Sequence, residues 1–366
     1  MTIYIITIIL LLILSFAYDF RCSNRGKKTW GYIAIVFLIL IAGFRDDIGN
    51  DTMVYHQWYK FLSNNPITAL KESRFEPLFI LCCVIAKNLG LSWLILQIIF
   101  ATWINYSIFI FIRKYTNAIF LSLLLYFISI YYFLNCEEIR AAIAFCFVLI
   151  ALSHIKQNNY LKFSILVIIG CGFHYSNALY LILPFIPNLF KNKLRLAIIL
   201  LIIFLGANVL YAYFGVYSVL IDSVLGIETM SSYIDSDYLN GTGKSILNLI
   251  NIFITSVLFP VLCYYISRQS DKSLDNIFFI YLFCIIGSMF LILFYRFNHQ
   301  LSIVSIIVLC RAISTASISS KIIPKLIATM SILIFIYVSI SVYINYNSYL
   351  DGYFYENFIP YKLYEF

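Results

Sequence analysis

Residues 92–155 read SWLILQIIFATWINYSIFIFIRKYTNAIFLSLLLYFISIYYFLNCEEIRAAIAFCFVLIALSHI. Three apolar runs, 92–112, 117–134 and 139–155, follow one another, parted only by Arg113/Lys114 and by Glu137, Glu138 and Arg140. Each run is continuously apolar rather than alternating, which excludes membrane strands and leaves helices. Crossing about 30 Å of hydrocarbon takes roughly 20 such residues.

The same reading extends outward along all 366 residues, 62% of them hydrophobic and 11% charged. A soluble domain carries roughly 25% charged residues, so lipid must cover much of this surface. Apolar runs recur near 3–17, 30–44, 76–89, 92–112, 117–134, 139–155, 160–173, 176–190, 195–213, 246–267, 276–295, 299–315 and 324–344. The first lacks a basic leading region and a small-residue cleavage site, and is read as a membrane helix rather than a signal peptide. The expectation is an all-α polytopic transmembrane helix bundle, one integral-membrane domain over 1–366.

Orientation follows from Lys and Arg, which gather in cytoplasmic loops. The clusters Arg21/Arg25/Lys27/Lys28, Arg113/Lys114, Lys156/Lys162, Lys191/Lys193/Arg195, Arg268/Lys272 and Arg311/Lys321/Lys325 fall on one side. That side holds 16 basic and 3 acidic residues and the other 9 basic and 14 acidic, so the net +8 is a topological signal and implies no nucleic acid. Loop 45–75 and Arg113/Lys114 fit opposite sides only if the short 76–89 run is re-entrant or a half-span. About 12 full spans then place both termini outside. Loops 45–75 and 214–245 and the tail 346–366 are external. In the first loop, Met53, Trp58, Phe61 and Leu62 give one apolar face, as suits an interfacial helix.

Ionisable residues at membrane helix ends are costly and mark function. Here they collect on the external side. Arg45, Asp46 and Asp47 close the second span, followed by Gly49, Asp51 and Tyr55. This turn can orient a sugar hydroxyl, or Asp51 can cap the following helix. Glu76 precedes Pro77 and faces a positive helix end, which capping alone also explains. Arg140 sits in the first turn of a span, where a cation needs an anion or a carboxylate such as Glu138; its planar fork suits a diphosphate. His174 can act as a general base or be a hydrogen-bonded structural residue. Arg296 and His299 cap another span on the same side.

Asp235-Ser236-Asp237 is too short a motif to carry a metal site, and Gly241 to Ser245 lacks phosphate-loop spacing. The four histidines have no metal-ligand spacing. The nine cysteines read as apolar core, with a Cys136–Cys171 disulfide left open.

Arg45, Gly49, Asp51 and Tyr55 match R-x(3)-G-x-D-x(3)-Y. With Glu76, Ile139-Arg140, Phe173-His174-Tyr175-Ser176, Arg296 and Ile359-Pro360-Tyr361, the order resembles the EpsG-type exopolysaccharide family and, more loosely, Wzy-type O-antigen and capsule polymerases. Glu138 departs from it, standing where a polar uncharged residue is more usual. The resemblance implies a metal-independent membrane glycosyltransferase of the bacterial inner membrane. It would polymerise undecaprenyl-diphosphate-linked oligosaccharide on the outer face, with a flippase and a chain-length regulator as partners. It implies Arg140 and Arg296 for diphosphate, His174 or Asp51 as base, and Arg45, Asp47, Tyr55, Glu76, Glu138 and His299 for substrate binding. A flippase for the same lipid-linked unit would need inverted repeats and midplane charges, whereas the charges here sit at span ends. Another membrane glycosyl- or acyltransferase is the remaining alternative.

Overall fold

A computed structural model describes residues 2–20, 25–46, 48–186, 195–196, 198–204, 206, 246–267, 271–289, 294–318, 321–344, 346–347, 352–353, 358 and 361–362. The chain is helical because lipid leaves backbone amides and carbonyls no partner but each other. The helices are α1 (Thr2–Leu14), α2 (Lys27–Gly43), α3 (Asn50–Phe61), α4 (Pro66–Glu72), α5 (Pro77–Asn88), α6 (Trp93–Tyr115), α7 (Ile119–Ser129), α8 (Ile139–Lys156) and α9 (Tyr160–Cys171). After them come α10 (Ile246–Phe253), α11 (Phe259–Ser267), α12 (Lys272–Ser288), α13 (Tyr295–Ile318) and α14 (Ile322–Ile344). The only described strands are the two-residue pair Tyr346–Asn347 and Gly352–Tyr353.

Among the described residues, six stretches are long and apolar enough to cross a membrane: Thr2–Phe20, Trp93–Tyr115, Ile139–Lys156, Ile250–Ser267, Arg296–Ser317 and Ile322–Ile344. The runs expected at 117–134 and 160–173 contain the shorter helices α7 and α9. The run expected at 176–190 is a 3-10 helix, Tyr175–Phe185. At about 2.0 Å per residue, its eleven residues reach further than the same number in an α-helix. The chain is thus a multi-pass membrane protein. Loop 214–245, with Asp235, Asp237 and the glycine-containing 241–245 stretch, lies outside the described residues, as does Asp47.

Contacts between loops sort the two ends of the bundle. At one end Lys27 pairs with Asp19 at 2.8 Å, and Asp19 also accepts the Leu121 amide at 2.8 Å. Lys156 pairs with Asp271 at 3.2 Å, and Lys272 donates to the Tyr160 hydroxyl at 3.3 Å. The basic clusters assigned to the cytoplasm therefore meet at one end. At the other end the Asp46 amide donates to the Lys362 carbonyl at 3.0 Å. Tyr361 donates to Ile41 O at 2.8 Å, and Tyr4 donates to the Phe358 carbonyl. Tyr4, Phe358, Tyr361 and Lys362 thus gather beside the 41–46 segment.

The short 76–89 segment meets α3 at both of its ends. Glu76, before α5, touches the α3 side of the site through Arg140, which also bonds Tyr55. At the far end Lys87 Nζ donates to the carbonyls of Tyr59, Lys60 and Leu62 at 3.1, 2.9 and 2.7 Å, capping the C-terminus of α3 with a cation. Tyr59 Oη then reaches Leu91 O at 2.8 Å. Both ends of α5 therefore lie against α3.

Candidate active site on the charged face

The site begins with a turn that only glycine permits. Gly49 has φ +88°, and a Cβ there would come within 2.8 Å of the Cys136 Cβ and 3.0 Å of the Cys136 carbonyl. The loop can therefore press against the π turn Phe133–Glu137 that leads into α8. Thr52 Oγ1 fastens the contact by donating to Cys136 O at 2.9 Å.

Arg45 lies beneath this junction at 2% exposure. Its guanidinium donates to the carbonyls of Ala42 and Asn135 and to Thr52 Oγ1 at 3.2 Å. Gln97 holds the same turn, donating to Gly43 O and Arg45 O at 2.9 and 2.8 Å. Arg45 thus acts on the backbone of the loop that carries Asp51, and is placed to position the site rather than to touch a ligand.

One turn of α3 separates Asp51 from Tyr55, and the Tyr55 hydroxyl donates to Asp51 Oδ2 at 3.2 Å. Arg140 Nε donates to that hydroxyl at 3.0 Å, while Nη1 pairs with Glu76. Its guanidinium carbon lies 4.6 Å from the centroid of the Phe75 ring. Asp51, Tyr55, Arg140 and Glu76 therefore form one chain of charge-assisted bonds. Glu76 precedes α5 but its side chain does not cap it; the Leu78 amide donates instead to Gly172 O at 2.8 Å. Gly172 can approach because a Cβ there would overlap Leu78. That contact carries the next residue of the site, His174, to the same place.

His174 Nδ1 meets Ser176 Oγ at 2.6 Å. Burial lowers its pKa below the usual imidazole range, against an opposing pull from Glu76 and with Arg140, Glu138 and Arg296 also in electrostatic reach. Burial likewise raises Asp51 above the usual carboxylate range, countered by the Tyr55 bond and by Arg140. Glu138 does not pair with Arg140; its Oε1 meets His299 Nδ1 at 2.8 Å, and its buried Oε2 has no hydrogen-bond partner among the described residues. The His299 ring stacks on Phe133 at 3.9 Å. Arg296, one turn before His299, is exposed and makes no ion pair among the described residues.

The structure therefore brings Asp51, Tyr55, Glu76, Glu138, Arg140, His174, Arg296 and His299 to one face, sets Arg45 behind them, and leaves Asp47 undescribed. Cys136 and Cys171 are both free thiols. Among the described residues no group of His, Cys, Asp and Glu is arranged to hold a metal ion.

A family model described as the EpsG family matches residues 28–363. The chain belongs to the EpsG family. It is thereby a membrane protein associated with polysaccharide biosynthesis. No curated protein and no solved structure matches the chain.

Several members of the site were not evident from the sequence. Gln97, Asn105, Tyr126 and Asn135 form a buried polar group behind Arg45. Asn105 Nδ2 donates to Asn135 Oδ1 at 2.8 Å, and Tyr126 Oη to Asn105 Oδ1 at 2.9 Å. The available signal was their type: amides inside long apolar runs must find partners.

Proposed function

We propose that this EpsG-family chain is a polymerase of undecaprenyl-diphosphate-linked oligosaccharide units, acting at the outer face of the bacterial inner membrane to build a surface polysaccharide. The observation that carries the reading is the gathering of an exposed guanidinium, Arg296, with the half-buried carboxylates of Asp51 and Glu138, the buried carboxylate of Glu76, and a histidine whose pKa burial lowers. A lipid-linked glycosyl transfer needs those three chemistries within one headgroup's reach.

In the reaction the acceptor sugar hydroxyl attacks the anomeric carbon of the donor chain. The carbon–oxygen bond to the lipid diphosphate breaks, a glycosidic bond forms, and the hydroxyl proton passes to the base. His174 suits that base in the tautomer whose Nδ1–H donates to Ser176 Oγ, which leaves the Nε2 lone pair to take the proton. Asp51 and Tyr55, with Asp47 in the same loop, orient the acceptor. Glu76 holds Arg140 in place, and the Arg140 guanidinium fixes the Tyr55 hydroxyl. Arg296, which has no carboxylate partner to give up among the described residues, meets the diphosphate first; Arg140 completes the cationic side. Glu138 and Phe133 fix the His299 ring beside Arg296, where it contacts the same headgroup. Fixed cations aimed at charge that develops on the leaving group are worth about 10²–10³ in rate.

The test is polymer length in cells carrying Arg296→Lys or His174→Ala, with membrane level measured separately. Arg→Lys keeps the charge but loses the planar fork. Single-unit glycan in place of long chains is expected from each. Wild-type polymer from a well-expressed His174→Ala, Arg296→Ala double variant would overturn the assignment.

A further inference from the structure

A second site lies at the opposite end of the bundle, on the side that faces lipid. Lys28, Thr29, Tyr32, Ile33 and Val36 of α2 line an open groove of about 580 Å³. Its base is apolar and outward-facing: Ile33 is 47% and Val36 52% exposed, and no described element covers them. Its mouth is cationic. Lys28 is exposed and without an ion pair among the described residues, whereas its neighbour Lys27 is held by Asp19.

Arg113, from the last turn of α6, is held against Tyr32 at the groove's edge rather than left to extend freely. Its Nη1 donates to the Tyr32 hydroxyl at 2.8 Å, and its guanidinium carbon lies 5.3 Å from the Tyr32 ring centroid and 5.5 Å from that of Phe109. The arrangement requires close packing of α2 on α6, which Gly31 allows: a Cβ there would already come within 3.2 Å of Phe109. Trp30, 41% exposed beside the mouth, supplies the aromatic ring usual at a membrane interface.

We propose that this groove is a binding site for an anionic phospholipid of the cytoplasmic leaflet. The phosphate sits between Lys28 and the Arg113 guanidinium, and an acyl chain runs along Ile33 and Val36. Charge complementarity selects the occupant: two cations above an outward apolar trough match a phosphate carrying a hydrocarbon chain. Basic recesses between membrane helices on the cytoplasmic side bind anionic headgroups for this reason, each Lys or Arg adding several-fold in affinity. The site is independent of the polymerase reading, because its residues lie at the other end of the bundle.

The experiment uses the purified full chain in detergent. Retention of added dioleoylphosphatidylglycerol and dioleoylphosphatidylcholine is compared by native mass spectrometry. Wild type is expected to retain phosphatidylglycerol about tenfold better, as two cations imply. Lys28→Gln with Arg113→Gln should bring the two lipids to parity. Val36→Trp, which fills the trough and leaves the charges, should lower retention of both. Equal retention of the two lipids by wild type would overturn the proposal, as would an unchanged preference in the double variant. Inorganic phosphate displacing the lipid's thermal protection at equal concentration would reduce the site to an anion contact. A dimer that Val36→Trp dissociates would make the face a protein interface. Either of these last two results also refutes the proposal.

Discussion

Replacing Glu76 by Gln leaves Arg140 inside the site without its carboxylate. The Glu76 side chain is 7% exposed and that of Arg140 19%, so water can compensate only part of the loss. A charge-assisted hydrogen bond contributes about 1.5–3 kcal/mol. Breaking a fully buried pair costs about 3–5 kcal/mol, because the remaining charge is stranded. With Arg140 partly solvated, Glu76→Gln should cost about 2 kcal/mol. Arg140→Gln should cost about the same, since it strands Glu76. The double variant strands neither charge, so it too should cost about 2 kcal/mol rather than about 4, a coupling of about 2 kcal/mol. Unfolding of the purified chain in mixed micelles, followed by tryptophan fluorescence, measures all four corners of the cycle. Polymer formation should behave differently: both singles and the double lose it, because Tyr55 loses the Arg140 Nε donor or its alignment in every case. Additive single and double effects on stability would refute the pairing, and wild-type polymer from the double variant would refute its role.

Gly49→Ala should abolish polymerisation and lower stability by about 1–3 kcal/mol, since φ +88° is strained for alanine and the new Cβ meets Cys136; a thermal-melt comparison with wild type checks it. The pH profile should have one acid limb. His174, lowered by burial, accepts a proton only once it has lost its own, and Asp51, raised by burial, must also be ionised, so the rate falls as pH drops through either pKa. His174→Ala should remove most of the activity and leave any residual limb to Asp51 alone, so a limb of unchanged midpoint in that variant would show that His174 does not contribute to it. Leu89, 70% exposed at the end of α5, should be labelled from outside as Leu89→Cys in a cysteine-free background, while Arg25→Cys and Lys156→Cys should not. Protection of position 89 with labelling of 25 would invert the topology.

The helical class and the charged faces were legible because both come from composition along the chain: continuous apolar runs, and Lys and Arg on alternate loops. The 76–89 run was singled out as well, because a positive-inside conflict had to be absorbed by a short run, and α5 is a short apolar helix. Partnerships across long sequence separations were not legible. Arg45 looked like a ligand-facing arginine beside Asp46 and Asp47; its guanidinium instead turns inward to the Asn135 carbonyl, 90 positions away. Glu138 stood two residues from Arg140, yet helix geometry turns them apart, and Arg140 meets Glu76 while Glu138 meets His299. The order of motifs marked which residues matter, and tertiary packing decided which of them face the ligand. The 3-10 path after His174 was hidden for a related reason. Its run reads as an apolar helix, but Pro184 and the buried side chain of Asn177, which donates to Val167 O at 3.0 Å, fit a tighter winding.

The most direct test of polymerisation is reconstitution of the purified chain in vesicles with one undecaprenyl-diphosphate-linked repeat unit and no other protein. The account predicts a ladder of glycans on a gel, with one lipid diphosphate released for each new linkage, and the loss of both in Arg296→Ala vesicles. Transfer of intact single units across the bilayer, with no ladder and no released lipid diphosphate, would contradict it.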